Sequence, residues 1–190
     1  MSLACAPWLD PAAESLLAHA PLPRKALFLD RDGVVNVNHG YVHTPEQTEW
    51  VPGIFELVAA ARSRGYLPIV VTNQAGIGRG YYDTAAFLAY TEWVHARFAQ
   101  RGTPLLATFW CPHHAEAGIG EYRVACGCRK PEPGMLLAAI ERFGIEPSLS
   151  LMIGDSASDV VAAHAAGVRA RLLGPEDWGK SMPGLLDLPA

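Results

Sequence analysis

Short, mainly apolar runs alternate along this chain with longer stretches whose apolar residues recur at helical spacing. Ala26 to Leu29 runs directly into Asp30. Leu67 to Val71 is a second such run, Leu105 to Trp110 and Leu149 to Ile153 are interrupted only by Thr108 and Ser150, and Val168 to Leu173, which carries Arg169 and Arg171, reads as the last strand. Continuous apolar runs of this length are expected of strands buried on both faces, as in parallel sheets. Between them, Pro52 opens a helix to Arg64, with Ile54, Leu57, Val58 and Ala61 on one face and Gly65 as the stop. Asp83 is placed to cap a helix running to about Gln100, with Gly102 behind it. Gly134 to Phe143 closes at Gly144, and a shorter helix from about Asp159 to Ala166 stops at Gly167. The order strand, helix, strand implies right-handed crossovers. The expected fold class is therefore α/β: a single Rossmann-like domain, a central, mainly parallel sheet with helices on both faces, and no separate cap domain.

Two parts of the pattern are weaker. Residues 1–24 are expected to be an N-terminal extension with little structure, one or two helical turns between Pro11 and Ala20 at most, before one domain over 25–190. The glycine-rich stretch Ala75 to Gly80 reads as a loop.

Composition narrows the classes. Half of the 190 residues are hydrophobic, enough for one domain with a sizeable core. A formal net charge of −4 gives no sign of a nucleic-acid surface. No run approaches the roughly 20 apolar residues that span a bilayer, and Met1 to Pro23 lacks the basic start and apolar core of a secretory signal. A cytoplasmic monomer with no nucleic-acid or membrane partner is expected.

The candidate chemistry lies at the strand ends. Asp30 and Asp32 leave the first run with Gly33 behind them, Thr72 and Asn73 end the second, and Asp155 follows the fourth. Parallel strands present their carboxyl ends on one edge, where open α/β sheets bind ligands. Acids crowded there repel one another unless a cation is shared, so an aspartate at this position can bind Mg²⁺, act as a nucleophile, or both. Taken alone, each has an ordinary alternative: aspartates form turns and caps, Thr72 could merely end a strand, and Lys130 could be a surface lysine. Together they match what phosphoryl transfer asks for: an oxygen nucleophile, a hard cation with oxygen ligands, and donors around the non-bridging oxygens.

Cys111, His113, Cys126 and Cys128 supply three potential thiolates and an imidazole, a set that suits a closed, structural Zn²⁺ site. His114 is a rival for the histidine position. Reduced buried cysteines, or a disulfide in an oxidising compartment, are the readings without metal. Arg129 and Lys130 follow at once, so the ion would anchor the segment that carries the lysine.

The order of Asp30-Arg-Asp-Gly33, Thr72-Asn73, Lys130 and Gly154-Asp155-Ser-Ala-Ser-Asp159 resembles the haloacid dehalogenase-like (HAD-like) phosphatases over about residues 25–175. The resemblance implies that Asp30 attacks phosphorus and that Asp32 serves as acid and then base. It implies that Thr72 and Lys130 hold the phosphoryl group, and that Mg²⁺ is bound by Asp30, Asp32 through its backbone carbonyl, and Asp155. His39 to His43, Val71 to Gly80, Cys111 to His114 and Cys126 to Met135 are similar to the subgroup acting on D-glycero-D-manno-heptose 1,7-bisphosphate at its 7-phosphate. That subgroup supplies heptose for lipopolysaccharide or surface glycans. A small phosphorylated sugar is thus the expected partner, met by Asn38, His39, Gly40, Tyr41, Thr72, Asn73, Gln74, Ala75, Arg129 and Lys130. Arg129, with its planar fork, is the candidate for the distal phosphate. Histidinol-phosphate phosphatases share the zinc loop and are the nearest alternative. A zinc-stapled binding protein without turnover is a more remote one. Val34 and Ser156 depart from the pattern, which more often has Thr and Lys there.

Overall fold

The computed structural model describes residues 7–177 and 181–187. The elements in chain order are β1 (Trp8–Leu9), α1 (Ala13–Ala18), β2 (Lys25–Leu29), α2 (Ile54–Ser63), β3 (Tyr66–Asn73), α3 (Ala75–Gly78), α4 (Thr84–Gln100), β4 (Ala107–Cys111), α5 (Gly134–Phe143), β5 (Leu151–Gly154), α6 (Ala157–Ala165) and β6 (Arg169–Leu172), with short 3₁₀ turns between some of them. Among the described residues, six strands form one sheet in the order β1-β4-β3-β2-β5-β6. Every pairing is parallel except β1 with β4, so the mainly parallel α/β sheet expected from the sequence is present.

β2 lies between β3 and β5 and is buried along Ala26 to Leu29. The two-residue period of a strand sends alternate side chains to opposite faces. Ala26 and Phe28 join the core that contains α5 and α6, whereas Leu27 and Leu29 join the core beneath α2 and α4. That two-sided burial is why the run is apolar without alternation. It also fixes what comes next, because a strand held on both faces and both edges delivers its following residue to a defined place.

The helices follow their sequence signals closely. The Asp83 carboxylate accepts a hydrogen bond from Ala86 N at 2.7 Å and so caps α4. α5 closes on Gly144 with φ +62°, a left-handed conformation that glycine adopts without a Cβ clash. α6 starts earlier than expected. Ser156 is its N-cap and Asp159 its third residue, the two forming a reciprocal capping box, so Asp159 lies inside the first turn and not at the helix start. The glycine-rich stretch after β3 is a single helical turn, α3, and not an open loop. β5 begins at Leu151, because Pro147–Leu149 winds into a 3₁₀ turn first.

Residues 7–24 are more ordered than expected. β1 pairs with β4 through Trp8 and Leu9, and α1 packs Leu16 and Leu17 against the core. Asp10, between them, is buried and binds His95 Nδ1 of α4 at 2.8 Å. His95 Nε2 in turn meets Thr108 Oγ1 of β4 at 2.9 Å, and Trp8 lies over the imidazole with ring centroids 4.4 Å apart. Burial lowers the pKa of His95, with Asp10 opposing. The ring is therefore neutral at pH 7, donating from Nδ1 to the carboxylate and accepting from the threonine hydroxyl. No helix among the described residues is long and apolar enough to cross a membrane.

Candidate active site

Asp30 is the first residue beyond β2, and its backbone is still tied to β5 by Asp30 N to Ile153 O at 3.0 Å. Its carboxylate Oδ1 accepts from Arg31 N at 2.7 Å and lies 2.9 Å from Lys130 Nζ. Lys130 comes from the segment before α5, 100 residues away in sequence, and is brought in by its main chain. Asn73, the last residue of β3, donates from Nδ2 to Lys130 O and accepts at Oδ1 from Lys130 N, both at 3.0 Å. The lysine side chain then runs inward, donating to Val71 O at 2.8 Å and approaching Asp159 Oδ1 at 2.6 Å. It is almost wholly buried.

Asp159 was absent from the site residues expected of the sequence, where it marks only a helix start. In the structure one carboxylate oxygen faces Lys130 and the other accepts from Ser156 N at 3.0 Å, so a single residue caps α6 and balances the lysine. An acid at the third position of a capping box, four residues after another strand-end acid, is the signal that could have pointed to it.

The electrostatics follow from this crowding. Burial pushes the Asp30 carboxyl up to about 7; Lys130 opposes the shift, and the nearby Asp159 and Asp32 charges add to it. Burial also works against the Lys130 charge, but Asp30 and Asp159 outweigh it and hold the lysine above its ordinary value. Asp155 is raised by burial and by Asp159. These are the shifts expected where like charges share one low-dielectric site.

Asp32 is held separately. Arg31 Nη2 reaches its Oδ2 at 2.8 Å, Asn36 Nδ2 its Oδ1 at 3.0 Å, and Gln74 Nε2 its Oδ2 at 3.3 Å. The Gln74 amide also donates to Thr72 Oγ1 at 2.8 Å, while its carbonyl accepts from Tyr82 OH at 2.5 Å. Arg31 is itself buried, with its guanidinium over the Tyr90 ring at 5.2 Å. Arg31, Asn36 and Tyr82 were not singled out in the sequence. Gln74, expected to meet substrate, links the second acid to the strand-end hydroxyl.

Ligand atoms of Asp30, Asp155 and Asp159 all lie within 4.8 Å of one another. Three carboxylates form a hard oxygen donor set of the kind that suits Mg²⁺ and not a soft metal. Asp159 engages Lys130 and Ser156 N with its two oxygens, whereas Asp30 meets Lys130 and Arg31 N through Oδ1 alone. Gly33 keeps that space open. Its φ is +94°, and a Cβ there would fall 2.0 Å from Asp155 Oδ2. A cavity of about 320 Å³ opens beside it, lined by Gly33, Asn38, Asp155, Leu172 and Glu176 among others.

Of the remaining expected site residues, Asn38 faces that cavity and Gly40 adopts φ +80°. Tyr41 is strained at φ +54° and packs on Tyr81 with centroids 4.6 Å apart. His39 pairs with Glu49 at 3.0 Å on an exposed loop. Ala75 opens α3, and Arg129 Nη1 donates to His113 O at 3.1 Å. In the cysteine loop, Cys111 Sγ lies 3.4 Å from Cys126 Sγ and 3.8 Å from His113 Nδ1, and these three form a second possible metal group. Cys128, the fourth expected ligand, lies outside this group, its sulfur being disulfide-bonded. His114, the rival, turns its Nδ1 to Glu116 N and Ala117 N and stands outside the group.

Comparison with known proteins agrees with this geometry. The HAD-hydrolase-like family model matches residues 127–175. The D-glycero-beta-D-manno-heptose-1,7-bisphosphate 7-phosphatase of Vibrio cholerae is 47% identical over 152 residues, covering 80% of this chain and 82% of its own. The D-glycero-alpha-D-manno-heptose-1,7-bisphosphate 7-phosphatase of Burkholderia mallei is 49% identical, covering 80% of each. Among solved structures, the D,D-heptose 1,7-bisphosphate phosphatase of B. bronchiseptica, complexed with magnesium and phosphate, superposes with a TM-score of 0.70 at 33% identity, covering 86% of each chain. With its strand-end aspartates, its buried lysine and relatives this similar over most of their length, the chain belongs to the HAD-like phosphatases, in the family of the heptose 1,7-bisphosphate 7-phosphatases.

Proposed function

We propose that this protein removes the 7-phosphate from D-glycero-D-manno-heptose 1,7-bisphosphate, as a cytoplasmic monomer supplying heptose for surface glycans. The observation that carries the reading is the Asp30 carboxylate held 2.9 Å from a buried Lys130 that a second acid, Asp159, neutralises from behind. Asp30 attacks phosphorus, forming an acyl phosphate while the P–O bond to the sugar breaks. Asp32 gives its proton to the departing sugar oxygen; its carboxylate then takes a proton from the water that hydrolyses the acyl phosphate, regenerating Asp30. Arg31, Asn36 and Gln74 hold Asp32 in line for both steps. Lys130 Nζ and Thr72 Oγ1 bind the non-bridging oxygens of the transferring group.

Enzymes of this family use Mg²⁺. Asp30, Asp155 and the Asp32 backbone carbonyl would hold it here, and when bound it supplies positive charge beside the phosphoryl oxygens. Incubation with the heptose bisphosphate should release one phosphate per sugar, from carbon 7, only when Mg²⁺ is present. Faster release from histidinol phosphate would move the assignment to the neighbouring activity. The two anomers should be assayed side by side, since relatives named for each are equally similar to this chain.

Gly33→Ala tests the cation space directly. The added methyl meets Asp155 Oδ2 in a conformation that L-residues avoid, a strain of about 1–3 kcal/mol. The variant should melt at lower temperature and need at least about tenfold more Mg²⁺ for half-maximal rate, read by magnesium titration.

The cysteine loop is proposed to hold a structural Zn²⁺. Zn–S bonds near 2.3 Å make tetrahedron edges of about 3.8 Å, and the contacts at Cys111 lie at 3.4 and 3.8 Å. Cys111, His113 and Cys126 would be ligands as they stand, and Cys128 would complete the shell once reduced. No chemical step needs this ion; it fixes the segment leading to Lys130. Cys126→Ala should lose bound zinc, unfold at lower temperature and lose most of its turnover. Parent-like stability and rate would count against the zinc reading.

A further inference from the structure

His114 and Arg79 face each other in a way that neither can satisfy. His114 Nδ1 accepts from Glu116 N at 3.3 Å and from Ala117 N at 3.1 Å, so the ring proton sits on Nε2. Nε2 points at Arg79 Nη2, 3.5 Å away. A guanidinium has donors and no acceptor, so this approach brings two donors together with nothing to receive them. Arg79 Nε is also buried without a hydrogen-bond partner, and no carboxylate pairs with Arg79 among the described residues. Two convergent donors, one carrying a fixed positive charge, are completed by an anionic oxygen group.

The place fits a second phosphate. Arg79 directly follows α3, and α3 directly follows Gln74, whose amide lies 3.3 Å from Asp32. Only this short turn separates Arg79 along the chain from the residue that holds Asp32. The Tyr41 ring, 5.9 Å from the Arg79 guanidinium, forms a wall on one side. Arg129, anchored on His113 O, approaches the residue adjoining His114.

Resting on the bisphosphate reading above, we propose that Arg79 and His114 bind the phosphate of the substrate that is not hydrolysed, and so set the preference for a sugar phosphorylated at both ends. The test compares the heptose 1,7-bisphosphate with the heptose 7-phosphate. Arg79→Ala should raise KM for the bisphosphate roughly tenfold, the loss expected for a charge-assisted hydrogen bond, with kcat within twofold. The preference for bisphosphate over monophosphate should shrink by the same factor. His114→Gln, which keeps a donor at that reach, should retain most of the preference, and His114→Ala should lose it. An unchanged preference in Arg79→Ala overturns the proposal. If the parent does not hydrolyse the heptose bisphosphate, the substrate reading fails by itself, and the anion site is then judged with inorganic phosphate. In that case, saturable movement of the His114 ring signals by NMR, absent in Arg79→Ala, supports it, and signals unmoved by phosphate overturn it.

Discussion

Asp30→Asn should fold as the parent does and release phosphate at least about 10⁴-fold more slowly, the scale of loss when a covalent nucleophile is removed. The amide has the shape of the carboxylate but cannot form the acyl phosphate. Burial argues that the fold survives: Asp30 already sits where its charge is disfavoured, raised to about 7, so a neutral group there removes a repulsion with Asp159 and Asp32. Lys130 keeps its partner in Asp159, 2.6 Å away, and is not left as an unpaired buried charge. The informative pair of measurements is a thermal melt and a single-turnover assay with acid quench. Parent-like melting with no protein-bound phosphate is the expected result; parent-like turnover would refute the assigned nucleophile.

Asp10→Ala should lower the melting temperature by about 6–12 °C, from a loss of about 3 kcal/mol in a domain of this size. Two hydrogen bonds disappear with the carboxylate: the one from His95 Nδ1 at 2.8 Å and the one from Ala12 N at 2.9 Å. The first leaves a donor in a buried pocket with nothing to receive it, which accounts for most of the loss. A parent-like melt would mean that Trp8 to Asp10 do not dock on β4 and α4 in solution. The same histidine gives a pH dependence with a definite sign. Its pKa is lowered in the folded chain by burial. The unfolded chain therefore takes up a proton first as pH falls below about 6.5, and stability declines from there toward the folded value. His95→Gln should flatten the melting-temperature curve between pH 6.5 and 5.

The buried strands and the glycine-stopped helices were legible because each is written in consecutive residues. Ala26 to Leu29 has no polar position, and Gly65, Gly102, Gly144 and Gly167 each stand just past a helix. Asp30, Asp32, Thr72 and Asp155 could be collected for a simpler reason: parallel topology sends strand ends to one edge, and Lys130 joins them through Asn73. β1 was not legible, since two residues carry no periodicity and their order depends on Asp10 meeting His95, 85 positions on. Asp159 looked like a helix start because its capping role is local and its hold on Lys130 is not. The mutual exposure of donors at Arg79 and His114 is likewise a product of folding, as the tautomer is set by two backbone N–H groups that no sequence pattern announces.

Asn73 grips the peptide of residue 130 and never its side chain. Location and chemistry are therefore assigned to different atoms at that point of the molecule. Arginine, methionine or glutamine could be installed there and would still be carried to the same spot, each with its own effect on catalysis. Only proline, which has no amide hydrogen to give, would be refused by the anchor itself.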